Sequence, residues 1–173
     1  MDGCVEGAMC ATSESSNING KIFFHWFQKF VQFLPALRPQ LLLLDGHFAH
    51  IHQDTVEFAM ANDIVLYVLP PHTSHFLQPL DVGVYGPFKS LYEKALHQYP
   101  LHNNGVVPMK DNLVAITKIP FLEAFSDKNI LSGFKKTGIF PLCHKAMMES
   151  IVGEGPQADT KTLAHHSALI CSE

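Results

Sequence analysis

The sequence predicts an α/β fold that has a parallel βαβ core followed by a helical C-terminal portion. Residues 41–44 are four consecutive leucines, and residues 64–69 form a second apolar run rich in β-branched side chains. Neither run alternates apolar with polar residues, which is typical of strands buried on both faces. Residues 53–61 have helical spacing and lie between the two runs. Such a strand, helix and strand form a parallel unit with a right-handed connection.

Composition allows one domain of ordinary size. The chain has 173 residues, of which 47% are hydrophobic and 16% charged, enough apolar material for a core. Its net charge of −4 and pI near 6.2 exclude a strongly basic nucleic-acid module, so any such affinity has to come from a local patch, a metal or a missing partner segment. Apolar runs fall short of the roughly 20 residues that span a bilayer, and no secretory signal precedes them. We therefore expect a soluble intracellular protein without membrane contact.

The N-terminal third should contain one helix before the first strand. Residues 1–19 are rich in Gly, Ser, Thr and Asn, and we expect them to be disordered. A helix capped by Ser16 or Asn17 should then run to about Leu34, ended by Pro35. Its aromatic residues recur at three- and four-residue steps, which predicts one face packed on the sheet: Phe23, Trp26, Phe27, Phe30 and Phe33.

The remaining elements are predicted to be mostly helical. In the helix 53–61, the side chains that share a core face should be Val56, Ala59 and Met60. Residues 70–79 should form a loop that leads into a helix reaching about Gln98, with Pro87 near its first turn, followed by a loop at 97–108.

Farther along, Pro120 should separate two short helices at 111–117 and 121–125. Asp127 should cap a last helix that Gly138 ends, and residues 147–173 should form a flexible tail, beginning near Met148. Four cysteines without C-x-x-C spacing are expected to be free thiols: Cys4, Cys10, Cys143 and Cys171.

Two aspartates follow the predicted strands in comparable places. Asp45 ends the leucine run, with Gly46 allowing a turn, and Asp81 opens the helix that follows the second strand. By spacing alone, both could equally be helix-capping or loop carboxylates. However, the carboxyl ends of parallel strands are where catalytic groups collect, and phosphodiester chemistry uses converging carboxylates to hold Mg²⁺. The pair is therefore a candidate metal-binding site.

Three blocks of the sequence resemble the DDE superfamily endonuclease domain of pogo/Tigger-like transposases, over about residues 20–146. They are LLLLDGHFAH, VLPPHTSHFLQPLDVGVYGPFK and GFKKTGIFPL, at residues 41–50, 68–89 and 133–142. The resemblance implies an RNase H-like fold, Mg²⁺-dependent DNA strand transfer and a nuclear location. It makes Asp45 and Asp81 the second and third acidic residues of the family, both catalytic and metal-binding. Residues expected to shape the loops around the metals are His47, His50, His72, His75 and Gln78.

The resemblance also implies an incomplete site. The family's first acidic residue lies on an upstream strand, and Asp2 is the only aspartate before Asp45. We therefore expect a partial RNase H-like fold that lacks the N-terminal strands, weak or absent Mg²⁺ binding, weak binding of DNA and little catalysis. The strand edge left exposed should favour self-association. The alternative is a domesticated, non-enzymatic nuclear module that binds DNA or protein.

Other polar groups allow further interpretations. His47/His50 and His72/His75 each have His-x-x-His spacing, which leaves open a zinc site. Lysines near the C-terminus could touch phosphate but more often form a solvated face: Lys135, Lys136 and Lys145. Asp54 and Glu57 could be extra ligands, although on the helix after Asp45 they are expected to face water or its first turn.

Overall fold

A computed structural model describes residues 5–9, 11–14 and 17–152. Its elements are α1 (Gly20–Phe33), β1 (Gln40–Leu44), α2 (Gln53–Ala61), β2 (Ile64–Val68), α3 (Ser74–Leu77), α4 (Pro79–Gly83), α5 (Tyr85–His102), α6 (Lys110–Ala124), α7 (Asp127–Thr137) and α8 (His144–Val152). A single 3₁₀ turn, Phe48–His50, lies between β1 and α2. The described part is thus a mixed α/β structure, mostly helical, with a two-stranded parallel sheet.

The predicted βαβ unit is confirmed in its order and strand direction. β1 and β2 pair in parallel, with Leu42 opposite Leu66, and the backbone N–H of Leu69 extends the pairing by donating to the Leu44 carbonyl at 2.8 Å. Helices α1 and α2 cover one sheet face and enclose the core, which consists of Phe23, Phe27, Leu44, Ala59 and Ile64. The handedness of the connection stays a prediction.

The expectation that the strands are buried on both faces is wrong. Leu41, Val65 and Tyr67 lie on the second face of the sheet, and Leu41 is 59% exposed. The reason is that the core helices contact the other face, and the sheet has only two strands among the described residues. An uninterrupted apolar run therefore indicated a strand correctly but overstated its burial.

Helix α1 differs from its prediction in its N-cap residue and in the exposure of Phe33. Asn19 is the N-cap, its side-chain oxygen accepting from the N–H of Ile22 at 2.9 Å, rather than Asn17 or Ser16, the latter outside the described residues. Phe23 and Phe27 are buried as expected, whereas Phe33 is 79% exposed. Phe33 therefore points away from the core, whereas Phe30 and Val31 of the same turn are partly buried against it.

Helix α2 has the predicted bounds but not the full predicted face. Thr55 and Ala59 are buried, whereas Met60 is 73% exposed. Residues 70–79 are not one loop, since α3 forms within them, and α5 continues to His102 instead of ending near Gln98. Pro87 lies in the first turn of α5, as predicted.

The C-terminal helices correct three further expectations. Pro120 does not divide α6, because its side chain is buried where α6 packs along α5, and this packing offsets one lost backbone hydrogen bond. Ser126, not Asp127, precedes α7, while Gly138 ends it in the left-handed conformation as predicted, with φ +70°. Residues 147–152 belong to α8 rather than to a tail.

Some terminal expectations are not tested. Residues 153–173, Cys4, Cys10 and Cys171 lie outside the described residues, so the tail and these thiols stay predictions, as does the disorder of residues 1–19. Cys143 is exposed and free, as expected.

Helices α4 and α7 cross at two glycines that face each other. A Cβ atom added to Gly83 would lie 2.6 Å from both the Asn129 carbonyl oxygen and Gly133 Cα, closer than any ordinary contact. Gly133 in turn faces the carbonyl of Pro79 at the start of α4. The two backbones are therefore in direct contact, and α7 holds α4 in place below the sheet's carboxyl end.

Candidate active site

Asp45 is positioned by the turn that follows β1. Its Oδ1 atom accepts a hydrogen bond from the backbone N–H of His47 at 3.2 Å and lies 2.6 Å from His50 Nδ1. The contact with His50 lacks the alignment of a true hydrogen bond. Because the carboxylate contacts two residues of its own turn, its orientation is set locally and it stays partly open to solvent.

His50 links this carboxylate to the core. The imidazole is mostly buried and lies against the ring of Phe23 in α1, with 4.4 Å between ring centroids. Packing of a core aromatic residue thus fixes the histidine, and the histidine limits where Asp45 can point. The loop-shaping role of His50, which the resemblance implies, stays a prediction.

Asp81 lies in the first turn of α4, two residues after the buried Pro79. Burial raises the pKa of its carboxyl, the negative charge of Asp45 raises this pKa further, and His75 lowers it. An effect of Asp45 on this pKa requires the two carboxylates to be within electrostatic range of each other. The two aspartates singled out in the sequence therefore lie within electrostatic range of each other.

The other predicted loop residues have different placements. His47 is exposed and caps the 3₁₀ turn, its Nδ1 accepting from the N–H of Ala49 at 3.3 Å. His72 is exposed in a backbone conformation with φ +61°, and the carbonyl of Gln78 accepts the N–H of Val82 at 3.1 Å at the start of α4. His75 lowers the pKa of Asp81. The influence of the other three residues on the site stays a prediction.

Tyr85 is a site residue that sequence reasoning missed. It is the first residue of α5, and its pKa is raised by burial first, then by the charges of Asp81 and Asp45. Its ring centroid lies 6.3 Å from that of Phe125. The sequence signal for Tyr85 was its spacing of four residues from Asp81, because residues four apart lie on the same face of a continuous helix.

The carboxylate pair leaves negative charge that a hard cation can neutralise. Carboxylate oxygens are the ligand type that Mg²⁺ prefers, so Asp45 and Asp81 fit this ion in kind. They do not fit it in number, since residues 5–9, 11–14 and 17–152 contain no cluster of three or more His, Cys, Asp or Glu side chains able to hold a metal. The same finding gives the zinc interpretation of the histidine pairs no support in this part of the chain.

The two nearby acidic residues on α2 face water, as predicted. Asp54 is exposed and lies 3.5 Å from His52 Nδ1, while Glu57 accepts a hydrogen bond from Gln53 Nε2 at 2.7 Å. Their contacts are with neighbours on the surface of their own helix. Nothing in this arrangement joins them to the pair at Asp45 and Asp81.

Asp45 follows the parallel strand β1, and Asp81 lies in the first turn of α4, within electrostatic range of Asp45. A family model described as DDE superfamily endonuclease matches residues 10–133, a span that includes Asp45 and Asp81. The chain belongs to this family. The resemblance stated from the sequence blocks is thereby confirmed at the level of the superfamily.

Comparison with characterised proteins adds one relative. A protein described as MFS-type transporter clz9, from Cochliobolus lunatus, is 30% identical over 135 residues, which cover 76% of this chain and 15% of that protein. The chain thus spans a small fraction of the relative's length, and the description as a transporter applies to that protein. No solved structure matches the chain. None of the helices described is long and apolar enough to cross a membrane.

Proposed function

We propose that this chain is part of a transposon-derived DDE endonuclease in which Asp45 and Asp81 are two of the metal-binding catalytic carboxylates. The observation that carries the proposal is their electrostatic proximity at the carboxyl end of β1, within the span matched by the family model. Membership of the family favours DNA as the substrate and the nucleus as the location. The sequence blocks support the narrower pogo/Tigger-like assignment.

An RNase H-like fold for residues 20–146 is part of the same proposal. The parallel pair β1 and β2, the helix between them and the position of Asp45 after β1 are consistent with part of such a fold. In it, further strands would pair with the free edge of β1, and further elements would pack on the exposed face of the sheet. The exposure of Leu41 and Val65 supports this interpretation, because apolar sheet faces are normally covered.

Each residue at the site has a role that follows from its contacts. Asp45, held by the His47 N–H and limited by His50, presents a fixed carboxylate, and Asp81 adds a second one from α4. Mg²⁺ held by these carboxylates would supply charge neutralisation at the scissile phosphate and activation of the attacking oxygen. Tyr85 adds a phenol that keeps its proton well into the alkaline range, because burial and both aspartates raise its pKa.

We further propose that the 173-residue chain by itself binds Mg²⁺ weakly and does not cleave DNA. The proposal rests on the resemblance, in which a third acidic ligand comes from a strand upstream of the Asp-Gly-His block. Two ligands hold a metal ion less tightly and less precisely than three. Robust Mg²⁺-dependent nicking of supercoiled DNA by this chain, lost in Asp45→Ala, would contradict the incompleteness while supporting the role of Asp45.

Thermal unfolding in a Mg²⁺ or Mn²⁺ titration tests the metal site. At ten times the dissociation constant, binding stabilises the folded chain by about 1.4 kcal/mol. For a protein of this size that raises the Tm by roughly 3–6 °C. Asp81→Asn should abolish the rise, whereas Asp54→Asn, which removes the same charge from an exposed position on α2, should retain it. The absence of a shift in the unmodified chain, or an equal loss in both variants, would refute the site.

The same titration separates the enzyme-derived site from the alternative, a domesticated nuclear module that binds DNA or protein without metal. The exposed second face of the sheet favours this alternative, since it is a surface on which another chain could pack. A metal-insensitive chain that still binds DNA or a protein partner would support the binding module.

A further inference from the structure

A cleft of about 660 Å³ lies between α3, α4, α7 and α8. Two of its lining residues connect it to the candidate active site. Val82 is the immediate neighbour of Asp81 in α4, and His75 lines the cleft while its charge acts on the Asp81 carboxyl. The cleft thus borders the helix that carries Asp81, although neither aspartate lines it.

Positive charge is concentrated in this cleft although the chain carries a net charge of −4. Lys135 and Lys136, at the end of α7, both line it and are exposed. They are opposed by Glu149, but that carboxylate lies 3.8 Å from the ammonium group of Lys145 on its own helix. The two lysines of α7 are therefore available to an anion that enters the cleft.

The cleft also contains neutral polar groups and has a fixed shape. Ser132 and Ser150 line it, and Ser150 Oγ lies 3.0 Å from the carbonyl oxygen of Lys136, which ties α8 to α7. Close packing at Gly83 and Gly133 holds α7 against α4. The lysines at the end of α7 therefore keep a constant position relative to the helix that carries Asp81.

We propose that this cleft binds the phosphate backbone of duplex DNA next to the phosphodiester that faces Asp45 and Asp81, with Lys135 and Lys136 as the anion-binding groups. Lysine acts on phosphate as a point charge, and the hydroxyl group of Ser132 can donate to a phosphate oxygen. Such contacts position DNA without reading its sequence. The proposal rests on the proposed function, which supplies the substrate, and adds the surface that holds it.

Binding of a labelled DNA duplex of arbitrary sequence, measured by fluorescence anisotropy in EDTA over a range of NaCl concentrations, tests the proposal. The double variant K135Q/K136Q should bind on the order of tenfold more weakly at low salt, and the slope of log affinity against log salt should fall by about 2. The matched control K118Q/K128Q removes the same charge from exposed positions that do not line the cleft. It should bind like the unmodified chain.

Three results would overturn the proposal: equal losses in the two double variants, no loss in K135Q/K136Q, or no binding of the duplex by the unmodified chain at low salt. Circular dichroism of each variant establishes that it remains folded. Since EDTA removes divalent cations, this result is independent of the metal titration. A metal-dependent Tm shift without weaker DNA binding by K135Q/K136Q would refute DNA binding by the cleft alone. Weaker DNA binding by that variant without a Tm shift would refute the metal site alone.

Discussion

The close crossing of α4 and α7 predicts a specific effect for Gly83→Ala. The new Cβ would lie 2.6 Å from the Asn129 carbonyl oxygen and from Gly133 Cα, whereas ordinary contacts begin at 3.4 Å. Because both obstacles are backbone atoms, the helices have to separate by roughly 0.8 Å, and overpacking of this kind costs about 1–3 kcal/mol. The higher helix propensity of alanine offsets at most about 1 kcal/mol of this cost. The expected net loss of stability is about 1–2 kcal/mol.

Urea unfolding followed by circular dichroism measures this loss. With an m-value of about 1–3 kcal/mol per molar, the midpoint should fall by roughly 0.3–2 M. Gly86→Ala is the matched control, because a Cβ there meets nothing within 4 Å, and it should be neutral or slightly stabilising. Since α4 carries Asp81, Gly83→Ala should also weaken the Tm rise with Mg²⁺. If both variants unfolded at the same midpoint, the helix crossing described here would be wrong.

Three further predictions concern charge and exposed apolar surface. The Tyr85 phenol, followed by ultraviolet difference absorbance, should titrate at a lower pH in Asp81→Asn than in the unmodified chain, and burial should keep its pKa above the usual value; an unchanged titration would contradict the proximity. The raised pKa of Asp81 means that the folded state binds its proton more tightly than the unfolded state. Stability should therefore decline as pH rises from the usual range of an aspartate, near 3.8, through the raised pKa, and Asp81→Asn should remove this decline in pH-dependent urea midpoints. The exposed sheet side should cause self-association detectable by sedimentation velocity; Leu41→Lys with Val65→Lys should reduce it, and a concentration-independent monomer before substitution would disprove it.

The sequence predicted the features of the fold that depend on local pattern. The β1–α2–β2 unit follows from two apolar runs and a helical spacing between them, and the end of α7 follows from Gly138. Continuous helix through Pro120 could not be predicted in this way. It depends on packing against α5, a contact between two separate helices that no local pattern encodes, and a proline by itself favours a break.

In the candidate site, too, the sequence predicted what depends on local pattern and not what depends on packing between elements. Spacing and resemblance located Asp45 and Asp81, because their position after a strand and at a helix start is a local property. The contact of His50 with both Asp45 and Phe23 depends on how α1 crosses the sheet, and no pattern around His50 encodes that. Likewise, the close contact of Gly83 with Gly133 depends on how α4 and α7 cross, and no local pattern encodes that crossing.

The central claim, that Asp45 and Asp81 bind one divalent cation, is tested most directly by paramagnetic broadening of backbone NMR signals with Mn²⁺. Broadening at low Mn²⁺ should be strongest around residues 45–50 and 79–85 and should disappear in both Asp45→Asn and Asp81→Asn. Selective broadening elsewhere, for example around the exposed histidines 72 and 97, that persists in both variants would contradict the claim.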